Sequence, residues 1–172
     1  MATRPRRATA GPAERPFPPY DGERYDVSRS VGYQVHNLTQ LMRREIELRM
    51  AALDLTDAQW RPLWVLASGR VDTANEMARR LEMDAGAMTR LLDRLEAKGL
   101  IERARSAADR RVVHLQLTTA GRAAAAQVPQ VLAAVNNAFL QGFSEADWAQ
   151  LRALIDRMAA NGSALQAART AP

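Results

Sequence analysis

A chain of 172 residues with 47% apolar content has the size and material for one ordinary domain, or one domain with an elaborated end. Its net charge of +5 and pI near 10.6 rest almost wholly on arginine, with Lys98 the lone lysine, and draw it toward polyanions. The lack of cysteine excludes disulfides, thiol catalysis, thiolate zinc sites and cysteine-based peroxide sensing.

Residues 1–25 hold Arg4, Arg6 and Arg7, then Pro12, Pro16, Pro18 and Pro19, and read as a flexible arm. Phe17, Tyr20 and Tyr25 are suited to pin that arm to a partner subunit. Residues 26–54 read as a dimerisation helix, from about Val27 to Leu53, with Val31, Val35, Leu38, Met42, Ile46 and Arg49 along one stripe. Leu41, Leu48 and Met50 widen its apolar surface, more than a small domain can hide, so a homodimer is expected. Thr56-x-x-Gln59 is a capping box opening a helix that ends near Gly69, and Thr73-x-x-Glu76 opens a short one ending near Leu81. After the turn Glu82-Met83, Asp84 caps a helix from Ala85 to Lys98, with Gly99 placed to end it. A strand follows at Leu100-Ile101-Glu102, then a charged loop from Arg103 to Arg110 and a returning strand from Arg111 to Thr118. On that strand Val113, Leu115 and Leu117 share one face, and His114 and Gln116 lie on the outer one. Thr118 caps an alanine-rich helix from Thr119 to about Leu140, in which Pro129 predicts a kink. Ser144-x-x-Asp147 opens a last helix carrying Leu151, Leu154, Ile155 and Met158.

The expected fold is mainly α. Residues 55–118 form a winged helix-turn-helix lobe with a small β-hairpin wing, residues 119–165 form C-terminal dimerisation helices, and residues 166–172 form a tail. In the second helix of the pair, Met88, Leu91, Leu92 and Leu95 form the buried stripe, which turns Ala85, Gly86, Thr89, Arg90, Asp93 and Arg94 outward. Alone, this is a plain amphipathic helix with solvated arginines. A hairpin directly behind it makes a reader of double-stranded DNA the better reading.

The pattern Asp109-x-Arg111-x5-Leu117-Thr118-x2-Gly121 resembles the wing signature of the MarR family of winged-helix transcription regulators. Residues 55–121 resemble that family's DNA-binding lobe, including Asp84-Ala85-Gly86-Ala87-Met88-Thr89-Arg90-Leu91-Leu92-Asp93-Arg94. Similarity to its efflux-repressor branch runs through His114-Leu115-Gln116-Leu117-Thr118, and the flanking helices extend the resemblance to roughly 27–160. The resemblance implies that Asp109 orients the Arg111 guanidinium into a minor groove, with Arg110 and Arg105 on phosphates; narrow A·T-rich grooves concentrate the negative potential that attracts it. Where many relatives carry serine or threonine, this chain has Ala85, Gly86 and Ala87, so direct readout falls on Thr89, Arg90 and Arg94, and DNA shape carries more.

A second constellation joins the first two helices. His36 and Gln40 lie one turn apart, as do Trp60 and Trp64, with Asn37, Arg43 and Arg61 nearby in sequence; Pro62 leaves the Ala58 carbonyl without its helical donor. Resemblance to the family implies a small effector between the dimerising helices and the DNA-binding lobe. An indole wall with histidine and arginine suits an aromatic carboxylate, a phenol or a hydroxypyridine-carboxylate. The competing reading puts both tryptophans in the core and lets His36 satisfy a carbonyl.

The function expected is a homodimeric, sequence-specific repressor released by such an effector; the alternative is an architectural DNA-binding protein without one. With His36 and His114 the only histidines and no G-x-S-x-G or P-loop, neither an enzyme nor a cofactor or metal is expected. No run approaches transmembrane length, and the amino end lacks a signal peptide's apolar core, so no membrane partner and a cytoplasmic location are expected.

Overall fold

The computed structural model describes residues 20–105 and 113–170. By its contacts the chain divides into two units, residues 1–38 and 39–172. In the first, the Asp21 and Asp26 carboxylates accept from the backbone two residues on and cap short 3-10 turns, Gly22–Arg24 and Val27–Arg29. The Ser30 hydroxyl donates to the Val27 carbonyl at 2.8 Å and accepts from the Tyr33 N–H at 3.2 Å. Helix α1, Val31–Ala51, therefore starts where Ser30 caps it and not near Val27, although the apolar pattern runs through both. Tyr20 and Tyr25 meet edge to face with ring centroids 5.5 Å apart, and the Tyr20 hydroxyl accepts from the Val31 N–H at 2.8 Å. Residues 20–25 are thus structured, inside the span expected to be a flexible arm.

In the second unit α1 is followed by α2 (Asp57–Ala67), α3 (Ala74–Arg80), α4 (Ala85–Ala97), β1 (Ile101–Arg105), β2 (Val113–Leu117), α5 (Thr119–Phe139) and α6 (Glu145–Thr170). That is the mainly helical winged arrangement the sequence indicates. Each expected cap is made: Thr73 accepts from the Glu76 N–H, Asp84 from Ala87, Thr118 from Gly121, and Thr56 and Gln59 form their box. At the start of α6, the Ser144 hydroxyl and backbone N–H donate to the Asp147 carboxylate and hold it below its usual pKa. The helix passes through Pro129 in α5 without interruption and continues in α6 to Thr170, beyond the expected boundary at residue 165.

One core joins these elements, α6 excepted. Met50 of α1, Leu63 of α2, Met77 of α3, Met88, Leu92 and Leu95 of α4 and Val128 of α5 are fully buried, with Ile101 of β1 and Leu115 of β2 nearly so. Burying each such side chain contributes about 1.5–3 kcal/mol. The strands pair antiparallel in the register Ile101↔Leu117, Arg103↔Leu115 and Arg105↔Val113. Arg103, Ala104 and Arg105, expected in the wing loop, are therefore strand residues. His114, expected on the outer face, has a partner there: its Nδ1 lies 2.9 Å from Asp72 Oδ2, the neighbouring Leu115 N–H donates to the Asp72 carbonyl, and Thr73 bridges to His114. The segment leading into α3 thus adds a short third ribbon to the hairpin.

Gly121 shows why glycine ends the motif that begins at Asp109. A Cβ there would run into the Leu100 backbone carbonyl, which accepts from the Thr118 N–H at 3.1 Å. Gly121→Ala should lower stability by about 1–3 kcal/mol through overpacking against backbone. Urea denaturation checks this, and an unchanged midpoint would contradict the close approach.

Candidate functional site

Helix α4 has two faces with different tasks. Its stripe of Met88, Leu91, Leu92 and Leu95 is sunk into the core, while Ala85, Gly86, Thr89, Arg90 and Arg94 are all exposed on the remaining surface. The exposed polar groups rest on the helix itself. The Thr89 hydroxyl donates to the Ala85 carbonyl at 2.9 Å, and Arg94 Nε donates to the Arg90 carbonyl at 3.1 Å. Arg90 Nη1 lies 3.5 Å from where a Cβ of Gly86 would stand, so its guanidinium extends back over the bare first turn. These bonds are local and solvent-exposed, and a base edge or phosphate can replace them at little cost.

The turn before α4 holds an unusual residue. Glu82 has φ +52, the left-handed position that ends α3, with its N–H bonded to the Arg79 carbonyl and the Met83 N–H bonded to the Ala78 carbonyl at 2.9 Å. At the far end of α4 Gly99 fills the matching position at φ +67, and the Lys98 ammonium donates to the Asp54 carbonyl and, at 3.0 Å, to its carboxylate. Both ends of α4 are anchored to other parts of the lobe.

Arg103 couples the hairpin to α4. Its guanidinium bridges Asp93, at 2.7 Å, and Glu96, and its side chain is only 29% exposed. Asp93 faces outward as expected, and the bridge engages it there. Arg105 is exposed at the end of β1 opposite Val113, with no acidic partner among the described residues. Asp109, Arg110 and Arg111 lie outside the described residues. Sequence spacing gives no sign of the Arg103 bridge, because its acids sit on another element.

The residues proposed for effector binding divide. Trp60 is 9% exposed and its Nε1 donates to Asp57 at 3.1 Å, which matches the core reading, whereas Trp64 is 46% exposed. Trp60, Arg61 and Trp64 nevertheless border one cleft of about 490 Å³, with Ser68, Arg70, Arg80 and Leu81, which were absent from the sequence-based set. The Arg61 guanidinium stands 5.4 Å from the Trp60 ring centroid and 3.7 Å from Asp57. Arg43 is engaged by Glu47 at 3.0 Å and Asp57 at 3.1 Å. Gln40 is half-buried on α1, and His36 and Asn37 are exposed on the part of α1 that belongs to the first unit. A second recess of about 700 Å³ shares Trp64 and is lined by Leu66, Leu115 and Pro129 together with the polar Asp72, Gln116 and Arg122.

A model of the MarR family matches residues 53–112. The multiple antibiotic resistance protein MarR of Escherichia coli K12 is 35% identical over 102 residues, covering 59% of this chain and 71% of that protein. The crystal structure of the reduced form of E. coli MarR has a TM-score of 0.67 at 31% identity, covering 75% of this chain and 96% of that one. A cysteine-to-serine variant of E. coli MarR complexed with operator DNA has a TM-score of 0.63 at 29% identity, covering 74% of this chain and 91% of the other.

The Arg103 bridge has a direct check. Arg103→Met, which keeps the aliphatic stem, should cost on the order of 1 kcal/mol and speed amide exchange in β1 and β2. A double-mutant cycle with Asp93→Asn should show coupling of about 0.5–1 kcal/mol. Zero coupling would mean that packing alone positions the hairpin.

Proposed function

The chain belongs to the MarR family of DNA-binding transcriptional regulators, and from that premise we propose that it is a homodimeric repressor of a pseudo-palindromic operator, released by a small aromatic or anionic effector. Proteins of this family are DNA-binding regulators and not enzymes. The observation that carries the reading is the exposed face of α4, with Thr89, Arg90 and Arg94 outward, beside a hairpin that Arg103 ties to the same helix. Operator DNA in the complex of the E. coli MarR variant supports the same use of this lobe. The stretch His114–Thr118 supports a place in the efflux-repressor branch.

Dimerisation is assigned to residues 26–54 and 119–165, and DNA reading to residues 55–118. Helix α6 supports this division: none of its side chains is buried within the chain, and Trp148, Leu151, Leu154, Ile155 and Met158 are 37–55% exposed. An apolar face of this size belongs against a second copy. Two lobes so joined place two α4 helices on one DNA face, about one helical turn apart. The effector acts by favouring a lobe spacing that no longer fits adjacent major grooves. No described helix is long and apolar enough to cross a membrane, in keeping with action on DNA in the cytoplasm.

The ratio of specific to non-specific affinity tests the reading. A repressor should bind its operator about 10³-fold or more above scrambled DNA, while an architectural protein would give a ratio near one. Arg111→Ala and Asp109→Ala should each weaken operator binding by about 1–3 kcal/mol, most at A·T-rich flanks, and unchanged binding in both would remove the wing from the mechanism. Ile155→Asp should shift sedimentation from dimer to monomer, because a charge on an apolar interface is left unpaired. A dimer that persists would place the interface elsewhere.

A further inference from the structure

Helix α4 carries four charged side chains, Arg90, Asp93, Arg94 and Glu96, and their charges sum to zero. Acids on a helix that meets phosphate repel it, and they compete with DNA for the helix's own arginines. On a helix surface, residues three and four apart are neighbours. At those spacings Arg90 has Gly86, Ala87, Asp93 and Arg94 beside it, so Asp93 is the one acid of α4 in its reach. Arg94 has no acid at the same spacings. Glu96, three residues beyond Asp93, adds a like charge that drives the Asp93 carboxylate toward Arg90. Yet Arg90 and Arg94 have no acidic partner among the described residues. The Arg90 guanidinium extends the other way, with Nη1 3.5 Å from where a Cβ of Gly86 would stand. Asp84, at that end, has its carboxylate on the Ala87 N–H at 2.8 Å. Asp93 is taken by Arg103, whose Nη2 lies 2.7 Å from its Oδ1 while Nη1 binds Glu96. A planar guanidinium presents several donors in a fixed fork, so one residue of β1 occupies both acids of α4.

We propose that Arg103 is a positioning residue for DNA reading. By binding Asp93 it removes the acid that would otherwise pair with Arg90. The Arg90 guanidinium is thereby left free at the N-terminal end of α4, where a recognition helix meets base edges. The inference rests on the reading of α4 as that helix. Arg103 acts in this way without touching DNA. The size of the effect is set by a surface ion pair. One pair at helical spacing is worth a factor of about 1.4–2.3, and the two α4 helices of a dimer multiply it to about two- to fivefold.

Fluorescence-anisotropy titration of operator DNA with the full chain and a set of variants tests the role. Arg103→Met should weaken operator binding by about two- to fivefold. The same change should cost less than about 1.5-fold in an Asp93→Asn background, and equally little in an Arg90→Met background, because each lacks one member of the competing pair. Without DNA, the Arg90 Nε–Hε NMR resonance, assigned by its loss in Arg90→Met, should move on Arg103→Met and return when Asp93→Asn is added. A loss of affinity that persists in both backgrounds with unchanged salt dependence means that the bridge acts by holding the hairpin, and overturns the proposal. A persistent loss with a salt dependence shallower by about one per Arg103 makes that residue a phosphate contact, and overturns it too. An Arg90 resonance that Arg103→Met leaves in place does the same. Failure of the underlying reading looks different: the resonance moves and returns, while neither Arg90→Met nor Arg103→Met alters operator affinity.

Discussion

Met88, Leu92 and Leu95 are fully buried, and their depth dictates how α4 can roll within the lobe. Turning the helix by one residue would bring part of this stripe into water and push an arginine or aspartate toward the core, at a cost of several kcal/mol. The face that meets solvent is therefore fixed by the face that does not. Tilt and translation are fixed at the ends, by the Asp84 cap and Glu82 turn on one side and by Gly99 and the Lys98–Asp54 contact on the other. Arg103 then passes this orientation to β1, so that a helix and a hairpin with different local causes present themselves together.

The division between what sequence reveals and what it hides follows the range of each interaction. Capping boxes and the α4 stripe are encoded within a few residues and appear where the sequence indicates; on β2 the alternation holds at Leu115, which is buried, but Val113, expected on the same face, is exposed at the open end of the hairpin. Ser30 is also local, but the apolar period across it is continuous and masks the cap. The Lys98–Asp54 contact and the His114–Asp72 pair join residues more than 40 apart, and the Arg103–Asp93–Glu96 bridge joins two different elements, so composition or spacing carries no trace of them. Glu82 in a left-handed turn is hidden for another reason, since the sequence signal for that conformation is glycine or asparagine. The cleft beside Trp64 is legible only in part: helical spacing brings Trp60, Arg61 and Trp64 near one another, but Arg70 and Arg80, which also line it, come from beyond α2.

The apolar surface left over is as informative as the core. Helix α6 spans Glu145–Thr170 and buries no side chain within the chain, so its place in the structure depends on an interaction outside it. The lobe has a core of its own, to which α6 contributes no buried side chain, so on the proposed reading folding of the lobe and pairing of two chains are separate events. Leu81, which ends α3, and Glu82, which holds the left-handed turn into α4, are consecutive residues.

Hydroxyl-radical footprinting of the operator by the full-length protein tests the central claim most directly. If a dimer presents two α4 helices with their wings, protection should recur in two symmetric blocks whose centres lie about 10–10.5 base pairs apart, or a multiple of that, each flanked by a protected minor groove. A single unsymmetrical block, or even protection along the duplex without that period, would contradict the account.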